Sequence, residues 1–520
     1  MPVGPNLPSV ARVLEMAESF GIDMNQEEAE LYRGFMQGAI NSARRIDAMT
    51  EDKPEVKYPR TTGYRPKPED NPYNAWYWRS EIKGSGKGIL KGLKVGIKDA
   101  VCVAGLPMMN GSRLFEGWVP DVDATIVTRI LDAGGTILGK TNCEDMSFSG
   151  SSHTCALGPV GNPHKAGFSA GGSSGGSGAA IAAGDCEITT GGDQGGSIRI
   201  PAAWNGIVGL KPTYGLVPYT GAMMIEMTMD HVGPMADNVE NCARLLTAMA
   251  GPDPLDPRQR GVIPKNYVKD YTAALGKGCK GLKIGVLEEG FGFPDPWGDT
   301  GLPGSEKIVD KKVRDAVARL KKKGASVTKV SNPRHEDAFH LWNLIILEGS
   351  ASFMMKGNGI GTNWAGFYNT QLLDNVAKSA KSRINDLSVV AKLVLLAGEY
   401  MQSDYYGRYQ AKAHNIRGQV RRSYDELLEK YDVLITPAVP MRATKLPDQD
   451  SPVEERVGAA LNMIHNTACI DLTGHPAISV PCGMSDSLPI GLQVIGRHFD
   501  DLTVLQVADA VEKCGDWKSM

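Results

Sequence analysis

The sequence lacks the marks of several protein classes. Its nine cysteines are scattered, odd in number and form no C-x-x-C pair, so reduced thiols in a cytoplasmic protein are expected. A formal net charge of -3 gives no reason to expect nucleic acid or an anionic membrane as partner. No apolar run reaches the roughly 18–20 residues that cross a bilayer. The first residues, MPVGPNLPSVARVLEMAESFG, lack a basic start followed by an apolar stretch, so a secretory leader is not expected. Histidines and cysteines show no ligand spacing such as H-x-x-x-H, so neither a metal nor a zinc-hydrolase chemistry is indicated. What the chain does have is a 42% hydrophobic fraction, which supports a large core and argues against disorder.

Residues 8–49 read as two helices. Pro8 suits a first helical turn, and Leu31, Phe35, Ile40 and Ala43 fall near one face. The following stretch carries Pro54, Pro59, Pro66, Pro68 and Pro72 and reads as an extended connector. From Leu90 to about Ala250, runs such as LKVGIKDAV and ATIVTRILDAGGTILGKT alternate strand and helix character, as α/β folds do. GLKIGVLEE and a long helical stretch follow; YDVLITPAVP, HPAISVPCG and LPIGLQVIGRHF return to strands, and LTVLQVADAVEKC closes as an amphipathic helix. The expected division is a helical unit and linker over 1–75, offering a dimer surface, one α/β core from 76–255 and 430–520, and an inserted small α/β domain over 256–429.

Two glycine-serine stretches stand close together, FSAGGSSGGSGAAIAAG and GGDQGGSIRIP. A phosphate cradle needs lysine where Ser177 stands. A dinucleotide fingerprint needs a preceding strand, and NPHKAGFSA is a poor one. A flexible linker is excluded because GAAIAAGDCEITTGGD reads as a small-residue helix closing at Gly184 with a strand directly after it. Two glycines before Ser197 let backbone N–H groups turn inward beside a hydroxyl, and one such donor to an oxyanion is worth about 2.7–4 kcal/mol of barrier. A purely structural tight turn is the alternative. A serine nucleophile needs a base. His153 is nearest in the chain but has no acidic neighbour, whereas Lys98 lies in an apolar strand-like run and shares a face with Gly96, which leaves room beside it. A surface lysine on an edge strand is the competing reading. Asp99 points to the opposite strand face.

These features together resemble the amidase signature family of serine hydrolases. GGSSGGSGAAIAAG, GGDQGGSIRIPAAWNGIVGLKPT and VGIKDAV carry the likeness, and MMNGS, GHPAISVPCG and LPIGLQVIGRHFDD extend it over roughly residues 76–512. Order and length look most like the bacterial amidases associated with nitrile hydratase. The resemblance implies a twisted mixed sheet flanked by helices. It implies that Ser197 is the nucleophile, that Ser173 relays its proton to neutral Lys98, and that the Gly172–Ser173 peptide is cis. It further implies an oxyanion hole from the amides of Gln194, Gly195, Gly196 and Ser197, with Asp193 and Arg199 as scaffolding of the loop. By the same analogy Phe148, Ser174, Gln194, Trp342, Leu461 and Ile464 are candidate substrate contacts, although Trp342 and Ile464 read equally well as core residues at helical spacing. Relatives place threonine where this chain has Gly192 and Gln194, which leaves the detailed pocket open and lets Gln194 reach the substrate amide. Amidotransferase subunits usually carry glutamine where Ile200 stands, so a free-standing amidase acting on a small-molecule amide, without cofactor, is expected. The alternatives are a carbamate or ester hydrolase, a binding protein that lost the chemistry, and a glutamine-dependent amidotransferase subunit.

Overall fold

The computed structural model describes residues 5–264, 267, 269–292, 304–448 and 450–520. The chain forms two compact units, Met1–Pro54 and Glu55–Met520. Among the described residues no helix is long and apolar enough to cross a membrane.

The first unit holds three helices, Val10–Ser19, Gln26–Phe35 and Gln37–Asp47, where the sequence pattern predicted two. Ser9, rather than Pro8, opens the first helix: its side chain accepts from the Arg12 amide at 3.1 Å. Asn25 and Glu28 form a reciprocal capping box at the second. Met36 separates the second helix from the third, ending one and beginning the other.

The second unit is built on one sheet of eleven strands. These are β1 (Trp76–Lys83), β2 (Lys94–Lys98), β3 (Thr136–Thr141), β4 (Ile188–Asp193), β5 (Val208–Lys211), β6 (His231–Ala236), β7 (Lys283–Leu287), β8 (Ser326–Val330), β9 (Val433–Pro437), β10 (Ala477–Ser485) and β11 (Leu488–Ile495). Their order across the sheet is β1-β3-β2-β4-β6-β5-β10-β11-β9-β7-β8. Strands β3, β2 and β4 run parallel, as do β9, β7 and β8, and antiparallel pairs join the rest, so the sheet is mixed. Strands β4, β6, β9 and β11 are buried along their whole length, as expected where helices cover both faces. The stretch 256–429 supplies β7 and β8, which extend the same sheet beyond β9, together with a set of long helices.

The small-residue segment after the first glycine-serine stretch is the helix Gly175–Ala182. Its composition serves close approach. A Cβ on Gly176 would lie 2.3 Å from the Ala75 carbonyl oxygen and 2.5 Å from the Asn142 amide nitrogen. One on Gly178 would lie 2.6 Å from Asn205 Nδ2, on the helix Arg199–Asn205. Both contacts draw the helix against β3 and against its partner helix, which brings the turns leading into the two helices together. Gly176→Ala is therefore expected to lower stability by about 1–3 kcal/mol through overpacking. That outweighs the gain of roughly 0.5–1 kcal/mol that alanine brings to an unconstrained helix. Urea unfolding checks the sign, and a raised midpoint would contradict the packing argument.

Candidate active site

The parallel trio places chemistry at its carboxyl ends, where open α/β sheets bind ligands. Lys98 is the last residue of β2, and Asp193 the last of the neighbouring strand β4. Strand β2 lies between β3 and β4, so Lys98 is on an interior strand and is only 1% exposed. The edge-strand reading is thereby excluded. The space beside Gly96 is not left for the lysine: Thr189, Thr141 and Trp76 fill it, within 2.9–3.2 Å of a hypothetical Cβ.

Lys98 Nζ donates to Ser173 Oγ at 2.7 Å. Burial pushes the Lys98 amine down to about 8, against the opposing pull of nearby carboxylates such as Asp193 and Glu144. The acid adjacent in sequence does not reach it. Asp99 pairs with buried Lys140 at 2.9 Å and accepts from the Met109 amide at 2.9 Å. Ser173 follows a cis peptide bond with Gly172, and its carbonyl accepts from the Glu144 amide at 3.1 Å. Burial raises the Glu144 carboxyl to about 7, although Thr154 donates to it.

Ser197 stands just before the helix Arg199–Asn205, and its carbonyl accepts from the Ser174 amide at 3.3 Å. Asp193 organises this turn. Its carboxylate accepts from the amides of Gly196 at 2.7 Å and Ile198 at 3.1 Å, and from the Arg199 guanidinium at 2.9 and 3.0 Å. Arg199 also reaches Asp471 at 2.8 Å and Gln493 at 2.8 Å. Burial alone would raise Asp193, but the Arg199 charge overrides it and holds the carboxyl below its ordinary value. The Gly196 amide is thus engaged by Asp193, which corrects the expectation of four inward-facing donors. Among the described residues the amides of Gln194, Gly195 and Ser197 have no acceptor, and these are the loop residues that line a cavity.

Phe148, Trp342, Leu461 and Ile464 line that cavity with Gln194 and Ser197. Ser174 does not. It is fully buried, and its hydroxyl faces the Gly192 backbone at 3.2–3.3 Å, so it supports the loop and is removed from the substrate contacts. The Gln194 side chain donates to Tyr219 Oη at 2.9 Å. Reasoning from the sequence missed Ile346, Val390 and Val394, which complete the wall. Ile346 lies four residues after Trp342 and Val394 four after Val390, on the helices Arg334–Gly349 and Val389–Tyr405, so i,i+4 pairing was the available signal. Ser147 and Ser149 also line the cavity, from a loop where both hold positive φ, 62° and 112°. No residue lining the cavity carries a charge.

Residues 68–505 match the model of the family described as Amidase. The chain belongs to the amidase family. It is 45% identical over 495 residues to an enantioselective amidase of Rhodococcus rhodochrous, covering 95% of this chain and 92% of the relative. It is 37% identical over 443 residues to a glutamyl-tRNA(Gln) amidotransferase subunit of Methanosarcina mazei, covering 84% and 87%. Among solved amidase structures, that of the peptide amidase of Stenotrophomonas maltophilia superposes with a TM-score of 0.66 at 28% identity, covering 82% of this chain and 83% of the other.

The Asp193–Arg199–Asp471 group is fully buried and holds the Ser197 turn from beneath. Removing one partner from a buried pair leaves an uncompensated charge and costs about 3–5 kcal/mol. Arg199→Leu is expected to lower unfolding free energy by that amount. A loss below about 1 kcal/mol in urea titration would show that the carboxylates do not depend on the guanidinium.

Proposed function

We propose that this chain hydrolyses carboxylic amides with apolar acyl groups, releasing acid and ammonia or amine through an acyl-enzyme on Ser197. The observation that carries the reading is the 2.7 Å contact of a buried lysine, hydrogen-bonded to no carboxylate, with Ser173, beside the turn that presents Ser197. Neutral Lys98 accepts a proton from Ser173, which accepts one from Ser197 as its Oγ bonds to the carbonyl carbon. The developing oxyanion meets the free amides of the 194–197 turn. The proton returns through Ser173 to the leaving nitrogen, the C–N bond breaks, and water then releases the acid by the same relay. An uncharged, largely apolar cavity supports aliphatic or aromatic acyl groups and disfavours charged ones. Ile200 belongs to that wall. It places an apolar group where the resemblance puts glutamine in amidotransferase subunits, which favours hydrolysis over glutamine-dependent transfer.

An amide panel with ammonia release as readout tests this. Ser197→Ala is expected to lower kcat by ~10⁴-fold or more. Retained turnover in that variant removes Ser197 as nucleophile, and turnover only in the presence of a partner chain and glutamine would favour the transferase reading. The pH profile has a defined sign. Below about 8 the buried amine holds a proton and cannot act as base, so kcat/KM rises with pH through about 8 and levels above it. A profile flat from pH 6 to 10 contradicts the lysine's role.

The unit Met1–Pro54 supports pairing with a second copy. Phe20, Leu31, Phe35 and Ile46 are 80%, 60%, 71% and 65% exposed, a density of apolar side chains usual at interfaces between subunits. Light scattering behind a sizing column is expected to give a dimer mass, and Leu31→Glu with Phe35→Glu the mass of one chain. A wild-type monomer at micromolar concentration overturns it.

A further inference from the structure

The donors of the 194–197 turn are aimed by their own carbonyls. In a trans peptide the C=O and the following N–H point in opposite directions, so fixing one carbonyl aims the next amide. Three successive carbonyls here are fixed. Trp342 Nε1 donates to the Gln194 oxygen at 2.6 Å. Thr467 Oγ1 donates to the Gly195 oxygen at 2.6 Å. The Ile200 amide donates to the Gly196 oxygen at 2.7 Å. The amides so directed are those of Gly195, Gly196 and Ser197. Asp193 takes the middle one, and the outer two belong to residues of the cavity wall. The Ile200 bond is internal to the turn and its helix. The other two come from the helices Arg334–Gly349 and His465–Thr473, far away in sequence.

The two glycines are what allow these side chains to approach. A Cβ on Gly195 would lie 2.6 Å from Trp342 Cζ2, and one on Gly196 would lie 2.3 Å from Thr467 Oγ1. The glycine pair before Ser197 therefore has a second purpose beyond bending the chain: it admits an indole and a hydroxyl to the carbonyl side of the turn.

We propose that Trp342 and Thr467 are positioning residues for the oxyanion-binding amides: Trp342 aims that of Gly195 through the Gln194 carbonyl, in addition to walling the cavity, and Thr467, with Asp193 at the other end of the same peptide, fixes the Gly195–Gly196 plane that stands between the amides of Gly195 and Ser197. The inference rests on the serine-hydrolase reading given above. Loss of one oxyanion donor lowers kcat by about 10²–10³-fold, and loosening a donor's aim has an effect of the same kind. Trp342→Phe keeps an aromatic wall and removes the N–H; Thr467→Val keeps the shape and removes the hydroxyl.

The experiment measures kcat and KM for the best amide of the panel, together with inhibition by phenylboronic acid, whose serine adduct is tetrahedral. Trp342→Phe and Thr467→Val are each expected to lower kcat at least ~10-fold with KM within about 3-fold, and to weaken the boronic acid by the same factor as kcat/KM. Thr467→Ser, which keeps the hydroxyl, restores kcat. Wild-type kcat in both variants, or a loss confined to KM, overturns the inference and leaves Trp342 as wall alone. Thermal midpoints are measured alongside. Should Trp342→Phe fail to fold, the Thr467→Val and Thr467→Ser pair decides the question. Failure here with Ser197→Ala inert leaves the serine mechanism standing, whereas an active Ser197→Ala removes that mechanism itself.

Discussion

An amine held away from water, with no carboxylate as its hydrogen-bond partner, is the condition on which the rest of the site depends. Lysine is a poor base near neutral pH because its charged form is so well solvated. Placing Lys98 at the end of an interior strand removes that solvation. The protein then has to keep a counter-charge from restoring the proton affinity. Asp99 is tied to Lys140 and Asp193 to Arg199, so neither carboxylate hydrogen-bonds the amine. The hydroxyl of Ser173 is left as the amine's hydrogen-bonding partner.

The turn that carries Ser197 is fixed on two levels. Beneath it lies a charged group: Asp193 gathers two backbone amides and a guanidinium that is itself shared with Asp471. Above it, neutral donors from two distant helices hold the carbonyls. Charges alone would fix the turn's base and leave the peptide planes free to rotate. Neutral donors alone would not repay the burial of Asp193. The two sets together leave a short run of amides without acceptors, which is costly in a folded protein and useful at a site where negative charge develops.

The cavity that the turn faces is walled from both sides of the chain. Phe148 and the serines around it come from the loop after β3, while Trp342, Ile346, Val390 and Val394 come from the helices of the middle stretch. The sheet and the turns that follow its strands place Lys98, Ser173 and Ser197, and the helices beyond β7 shape the cavity. The wall can therefore vary with those helices while Lys98 stays on its strand and the two serines stay on the turns before their helices.

Local patterns located most of the elements, although two helices were read where the first unit has three, and the triplet Lys98, Ser173 and Ser197 came from the resemblance to a family rather than from any local pattern. An apolar run with alternating burial is a strand wherever it is placed, and glycine-serine turns at helix starts are local in origin. The chain alone also argued against a phosphate cradle, because Ser177 stands where a lysine would have to be. Tertiary packing decided the rest. That Lys98 is interior follows from the order of strands, which no spacing along the chain encodes. That Ser174 hydrogen-bonds the Gly192 backbone rather than facing the cavity, and that Thr467 reaches the Gly195 carbonyl, depend on contacts between residues well separated along the chain. Hydrogen bonds of this kind are set by distance and direction in space, and a sequence pattern reports only the periodicity of what is buried.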